Sequence, residues 1–175
     1  MFLKFFTCLI YLCCISFSAF SEEAILDLRE HDWSEGQIHS LQGNWDFYWQ
    51  QLIAPEEFAQ NTTKAIPFPV PGAWNSPPEG FQKFPGFGHA TYRVTVLVPA
   101  EKTDLFLSIP DMASAYQLWN NKELLAKNGI IGTSKELESP AYLPKFVTLT
   151  PDEGKLELVL QTSNFHYQWG GVWYP

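Results

Sequence analysis

Most of the chain after residue 24 alternates apolar and polar positions, the period of a strand whose successive side chains point to opposite faces. Gly43–Trp49 sets Trp45, Phe47 and Trp49 on one face and Asn44, Asp46 and Tyr48 on the other. Residues 90–98 set Tyr92, Val94, Val96 and Val98 against Thr91, Arg93 and Thr95, a half-buried strand that Pro99 ends. The same reading predicts strands at Leu105–Ile109, 115–119, 123–126, Lys145–Leu149 and 156–162, with 25–28 as an edge strand. Asn120 and Asn121 fall between two of these runs. Asparagine tolerates positive φ, so the pair predicts a two-residue type I′ hairpin. Residues 55–88 break the alternation with six prolines between Pro67 and Pro85 among Gly72, Gly80, Gly86 and Gly88. Proline has no donor for a ladder, so the stretch predicts a long loop, which Phe68, Trp74, Phe81, Phe84 and Phe87 would keep packed. Only residues 55–59 read as a helical turn, with Pro55 at its tolerated first position. About six to eight strands without helical periodicity or an internal repeat predict an all-β, antiparallel β-sandwich, with a closed barrel as the alternative.

The N-terminus follows a different pattern. Lys4 precedes an apolar run from Phe5 to Phe20, and Ala19 and Ser21 stand three and one positions before a cut after Ser21. That is the layout of a secretory signal peptide, too short for an ordinary membrane span, with an uncleaved N-terminal anchor as the alternative. The expected organisation is therefore a signal peptide at 1–21 and one domain at 22–175, in a periplasmic or extracellular location, without a membrane span in the mature chain. Cys8, Cys13 and Cys14 all lie in the leader, so the mature domain forms no disulfide and rests on packing. The residues before Cys13, Ile10-Tyr11-Leu12, lack the small residue that normally precedes a lipidated cysteine.

Charge and composition narrow the function. A net charge of −8 without a Lys/Arg cluster argues against nucleic acid and against an anionic membrane surface. The four histidines, His31, His39, His89 and His166, show no zinc-ligand spacing, and no Gly-x-Ser-x-Gly elbow or phosphate loop occurs. The expectation is a non-catalytic domain without a cofactor. Asp111 and Glu138 stand in loops where a structural calcium is conceivable, but no ligand-loop spacing supports one. Asn61-Thr62-Thr63 has the form of a glycosylation sequon, meaningful only in a host that modifies such sites. Trp74, Phe84, Phe87 and Trp169 are loop aromatics of the kind that stack on the C–H faces of sugars.

Six strings in order carry a resemblance: Leu41-Gln42-Gly43-Asn44-Trp45-Asp46-Phe47, Val70-Pro71-Gly72-Ala73-Trp74, Ala90-Thr91-Tyr92-Arg93, Leu118-Trp119-Asn120-Asn121, Leu156-Glu157-Leu158 through Asn164, and Gly170-Gly171-Val172-Trp173. Together they resemble the galactose-binding-like jelly roll that opens glycoside hydrolase family 2 enzymes. Phe47 to Leu52, Pro85 to Arg93 and Ser163 to Tyr167 are closer in wording to the extracytoplasmic domains of bacterial seven-transmembrane receptors with diverse intracellular signalling modules. Neither the catalytic barrel nor the membrane helices of those proteins follow in this sequence, so their activities are not carried over, and the domain is expected to be cut short relative to them.

The resemblance implies a ligand site in which His89, Arg93, Asn164 and His166 join Trp74, Phe84, Phe87 and Trp169. Each has a structural reading beside it. Trp74 suits a plug over the sandwich end, Arg93 a salt bridge, Asn164 a backbone-satisfying amide, and His89 and His166 structural hydrogen bonds. Trp45, Trp49, Tyr92 and Tyr116, at strand spacing, read as core. The expected function is a sensory domain that binds a small ligand, a carbohydrate by preference, for a transmembrane signalling receptor. The alternatives are a module docking other periplasmic domains and an accessory sugar-binding domain of a glycoside hydrolase.

Overall fold

The computed structural model describes residues 23–172, so the leader and its cut after Ser21 lie outside the described residues. Eleven strands appear there in chain order: β1 (Ile25–Asp27), β2 (Gly43–Trp49), β3 (Ile66–Val70), β4 (Gly72–Ala73), β5 (Gly88–Leu97), β6 (Leu105–Ile109), β7 (Ala115–Asn120), β8 (Glu123–Asn128), β9 (Lys145–Leu149), β10 (Lys155–Asn164) and β11 (Gly171–Val172). A single 3₁₀ turn at Pro55–Glu57 is the helical element among the described residues.

β3, β2, β5, β10, β7 and β8 lie side by side in that order as an antiparallel sheet, and β1 joins it parallel to β5. β2 and β1 share one edge of β5: β2 pairs with Ala90 to Arg93, and β1 with Thr95 to Leu97. β6 and β9 form a separate two-stranded ribbon, and β4 and β11 a short clasp. The inner face of the large sheet carries Trp45 and Phe47 of β2, Tyr92, Val94 and Val96 of β5, Leu156, Leu158 and Leu160 of β10, and Tyr116 and Leu118 of β7. The ribbon turns Leu105, Leu107, Ile109, Val147 and Leu149 into the same core. Sheet and ribbon thus make an all-β jelly-roll sandwich whose alternating residues do the packing.

The 55–88 stretch differs from a continuous loop, because β3 and β4 lie within it. β3 is an edge strand bonded only to β2, with Pro67 opposite Asp46 and Pro69 opposite Asn44. On an edge, a residue without an N–H is tolerated when its nitrogen faces away from the ladder. Phe68 and Val70 between the prolines are buried, so the period-two pattern was present but masked by proline. The hairpin after β7 also differs by one position. Asn120 ends β7, buried and donating to the Thr150 carbonyl (3.0 Å), and pairs with Glu123 across the turn residues Asn121 and Lys122. Only Asn121 has positive φ, 53°.

Candidate functional site

Both faces of the large sheet are covered, the outer one by loops. On that outer face, side by side, run Asp46 and Tyr48 of β2, Thr91 and Arg93 of β5, Val159 and Gln161 of β10, and Gln117 and Trp119 of β7. The β2–β3 loop folds over one part of it. The Thr91 hydroxyl accepts from Ile53 N–H (2.9 Å) and donates to the Gln51 carbonyl (2.8 Å), fixing where the loop begins. The β8–β9 loop covers another part, where Gly132 N–H donates to Ser163 Oγ (3.1 Å).

Three segments converge at the end of the sandwich where β5 begins and β10 ends: residues 74–75, 84–88 and 164–170. Asn164, wholly buried, ties them. Its Nδ2 donates to the carbonyls of Gly86 (2.8 Å), Tyr167 (2.7 Å) and Trp169 (3.3 Å), and its Oδ1 accepts Tyr167 N–H (3.1 Å). Asn75 adds a second staple, donating to the Gln168 carbonyl (2.8 Å) and accepting from Gly170 N–H (3.3 Å). Trp74 Nε1 donates to the Gly86 carbonyl (3.0 Å).

Of the eight residues singled out from the sequence, seven belong to this end, in two layers. Trp74, Phe84 and Asn164 are buried and offer no accessible surface to a ligand: Trp74 and Phe84 join Phe47 and Trp49 in a core aromatic cluster, and the Asn164 amide is spent on backbone. The accessible layer is Phe87 (57% exposed) and Trp169 (44% exposed), with partly exposed His89 and His166. His89 lies 6.5 Å from the Phe165 ring, and burial lowers its pKa. His166 Nε2 lies 3.9 Å from Glu138 Oε2. That Glu138 oxygen also accepts Phe165 N–H (2.6 Å), and burial raises the pKa of the carboxyl against the opposing effect of these partners. The Glu138 carboxylate is thereby engaged with backbone, as is Asp111, whose Oδ1 accepts Ala113 N–H (2.8 Å). No group of three or more His, Cys, Asp or Glu placed to hold a metal occurs among the described residues.

Arg93 is the exception. It is four residues beyond His89 on the same face of β5, roughly 13 Å along the strand, with Thr91 and its loop contacts between them. Its Nη2 contacts Glu23 Oε1 and Glu157 Oε1, both at 2.6 Å, its Nε donates to Glu157 Oε1 (2.9 Å), and its guanidinium lies 4.7 Å from the Phe58 ring centroid. The sequence reading missed its neighbour Asp46, opposite Arg93 in the ladder and only 7% exposed. A buried aspartate on the polar face of an alternating strand looks solvated in one dimension, and it is the tertiary approach of Glu23–Ala24 and the β2–β3 loop that encloses it.

No family model matches the chain, and no curated protein matches it. Solved structures do. The β-glucuronidase of Faecalibacterium prausnitzii is 20% identical over 72% of this chain with a TM-score of 0.51. That of Bifidobacterium dentium, solved with coumarin-3-O-glucuronide, is 20% identical over 70% with a TM-score of 0.51. The match spans 20% and 19% of those chains respectively, one domain's worth of a much longer polypeptide. At that identity the shared property is the fold.

Proposed function

We propose that this domain binds carbohydrate without cleaving it, through Phe87 and Trp169 at the sandwich end, as an accessory binding domain of the kind associated with glycoside hydrolases. The observation that carries the reading is the two-layer construction of that end. Buried Trp74 and Asn164, with half-buried Asn75, hold the loops in place, and the accessible aromatics stand on those held loops. Fixing loops before binding removes the ordering cost that would otherwise weaken a shallow contact, and sugars offer flat C–H faces to aromatic rings. His89 and His166 supply the directed polar contacts. The accessory-domain reading is preferred to the receptor reading because the structural neighbours are β-glucuronidases, of which this fold forms about a fifth. Secretion, with the leader removed after Ser21, belongs to the same proposal.

The test is calorimetric titration of the folded protein with mono- and oligosaccharides, glucuronides included. Saturable binding of one class, weakened about tenfold by Phe87→Ala or Trp169→Ala, is the expected result. No binding by any saccharide, or binding indifferent to both substitutions, refutes it.

A further inference from the structure

We propose a second binding site, for a small organic cation bearing a primary ammonium group, in the cavity between the β2–β3 loop and the outer face of the large sheet. The cavity measures about 350 Å³, and its walls are Glu23, Asp46, Tyr48 and Arg93 beneath and Phe58, Asn61, Thr63, Lys64 and Ala65 above. That volume is at the lower end of small-molecule sites.

The charge arrangement selects the ligand. Arg93 is already largely engaged. Glu23 and Glu157 hold its Nη2, Glu157 also holds Nε, and Phe58 covers its face. Asp46 is left over. Its Oδ2 accepts one long bond from Ala24 N–H (3.2 Å), and its Oδ1 has no hydrogen-bond donor among the described residues. As a residue Asp46 is 7% exposed and it lines the cavity, so a charge-assisted donor on a ligand there would give its sparsely bonded carboxylate a strong partner. Three carboxylates, Glu23, Asp46 and Glu157, surround the single guanidinium, which makes the floor negative; Lys64, exposed, stands in the upper wall.

The alternative cation, a metal, fits less well. Hard divalent ions take six or more oxygen ligands, and the carboxylates of Glu23 and Glu157 are committed to Arg93. Tyr48 and Phe58, with ring centroids 5.5 Å apart, instead present aromatic surface beside the carboxylate, the pairing that suits an organic ammonium. Burial raises the Asp46 pKa, with Glu23 adding to the rise and Ala24 N–H and Arg93 opposing it. Ammonium binding is therefore expected to weaken as pH falls and Asp46 takes up a proton.

The experiment is calorimetric titration near neutral pH and low salt with ethanolamine and putrescine, using ethylene glycol as the neutral counterpart. Saturable binding of the amines, no binding of the glycol, and a loss of at least about tenfold in Asp46→Asn are the expected results. Asn keeps an acceptor for Ala24 N–H, so the variant is expected to fold, which its thermal unfolding checks. Phe106→Ser, on the β6–β9 ribbon, should bind as the unaltered protein does. Absence of saturable amine binding up to about 50 mM, equal binding of the glycol, or undiminished binding in a folded Asp46→Asn variant each overturns the proposal. None of these outcomes bears on saccharide binding at Phe87 and Trp169.

Discussion

Single side chains here are decided by what lies above them. Asp46 and Glu138 are both carboxylates whose pKa is raised, chiefly by burial. A raised pKa means the folded state holds the proton more tightly than the unfolded chain. Each group's stabilising contribution is therefore present below the unfolded pKa and lost as pH rises through the folded one. Asp46→Asn should gain stability relative to the unaltered protein as pH rises through the Asp46 titration, and thermal melts between about pH 3 and 8 will show whether the gap opens in that direction. Asn164 behaves oppositely because its amide is matched to its surroundings. Asn164→Ala leaves buried carbonyls and one N–H without a partner and should cost about 3 kcal/mol in denaturant unfolding. Asn164→Asp should cost at least as much near neutral pH, since it points a carboxylate at the carbonyls of Gly86, Tyr167 and Trp169. Of the residues proposed from the sequence, Asn164 and Trp74 took their structural roles. The sequence shows their residue type and loop position but not that three carbonyls and an aromatic cluster would surround them.

At the level of elements, the clasp of β4 and β11 closes the sandwich end. Trp74 N–H donates to the Gly170 carbonyl (2.9 Å), and Phe84 N–H to the Trp74 carbonyl (2.8 Å), so this one residue joins the Pro-rich stretch to both neighbours. A Cβ at Gly170 would overlap the Trp74 indole. Trp74 is completely buried and cannot move aside, so Gly170→Ala should destabilise by about 1–3 kcal/mol, and Trp74→Ala by about 3–5 kcal/mol, both read from chemical denaturation. The β6–β9 ribbon shows the reverse case. Phe106 and Phe146 are each 77% exposed on its outward face, while Leu105, Leu107 and Val147 pack inward. Phe106→Ser and Phe146→Ser should change stability by no more than about 0.5 kcal/mol in the same assay. Two strands thus obey one alternation rule, yet their outward residues are apolar where the rule anticipates polar ones. Alternation identifies the strand and its two faces, and it says nothing about which outward faces a loop will cover.

For the whole molecule, the sandwich brings residues from distant parts of the chain to two places on one sheet. The sandwich end gathers 74–88 with 164–170, and the Arg93 cavity gathers Glu23, the β2–β3 loop, β2 and β5. Both depend on β5, whose neighbours on either side come from the start and the end of the chain. No helix among the described residues is long and apolar enough to cross a membrane. By itself the sequence determined the longer strands, though not β3, β4 or β11, because period-two burial is a local property, and with them the all-β class, most inward residues and the loops that would hold aromatics. It also marked His89, Phe87, His166 and Trp169, which the structure gathers at one end. Tertiary structure decided the rest. The depth at which Trp74, Phe84 and Asn164 sit, the separation of Arg93 from His89 by the Thr91 loop anchor, and the burial of Asp46 all depend on how loops fold back over a finished sheet. Those contacts join residues far apart in sequence, and no local pattern encodes the dielectric environment or the unpaired oxygen that results.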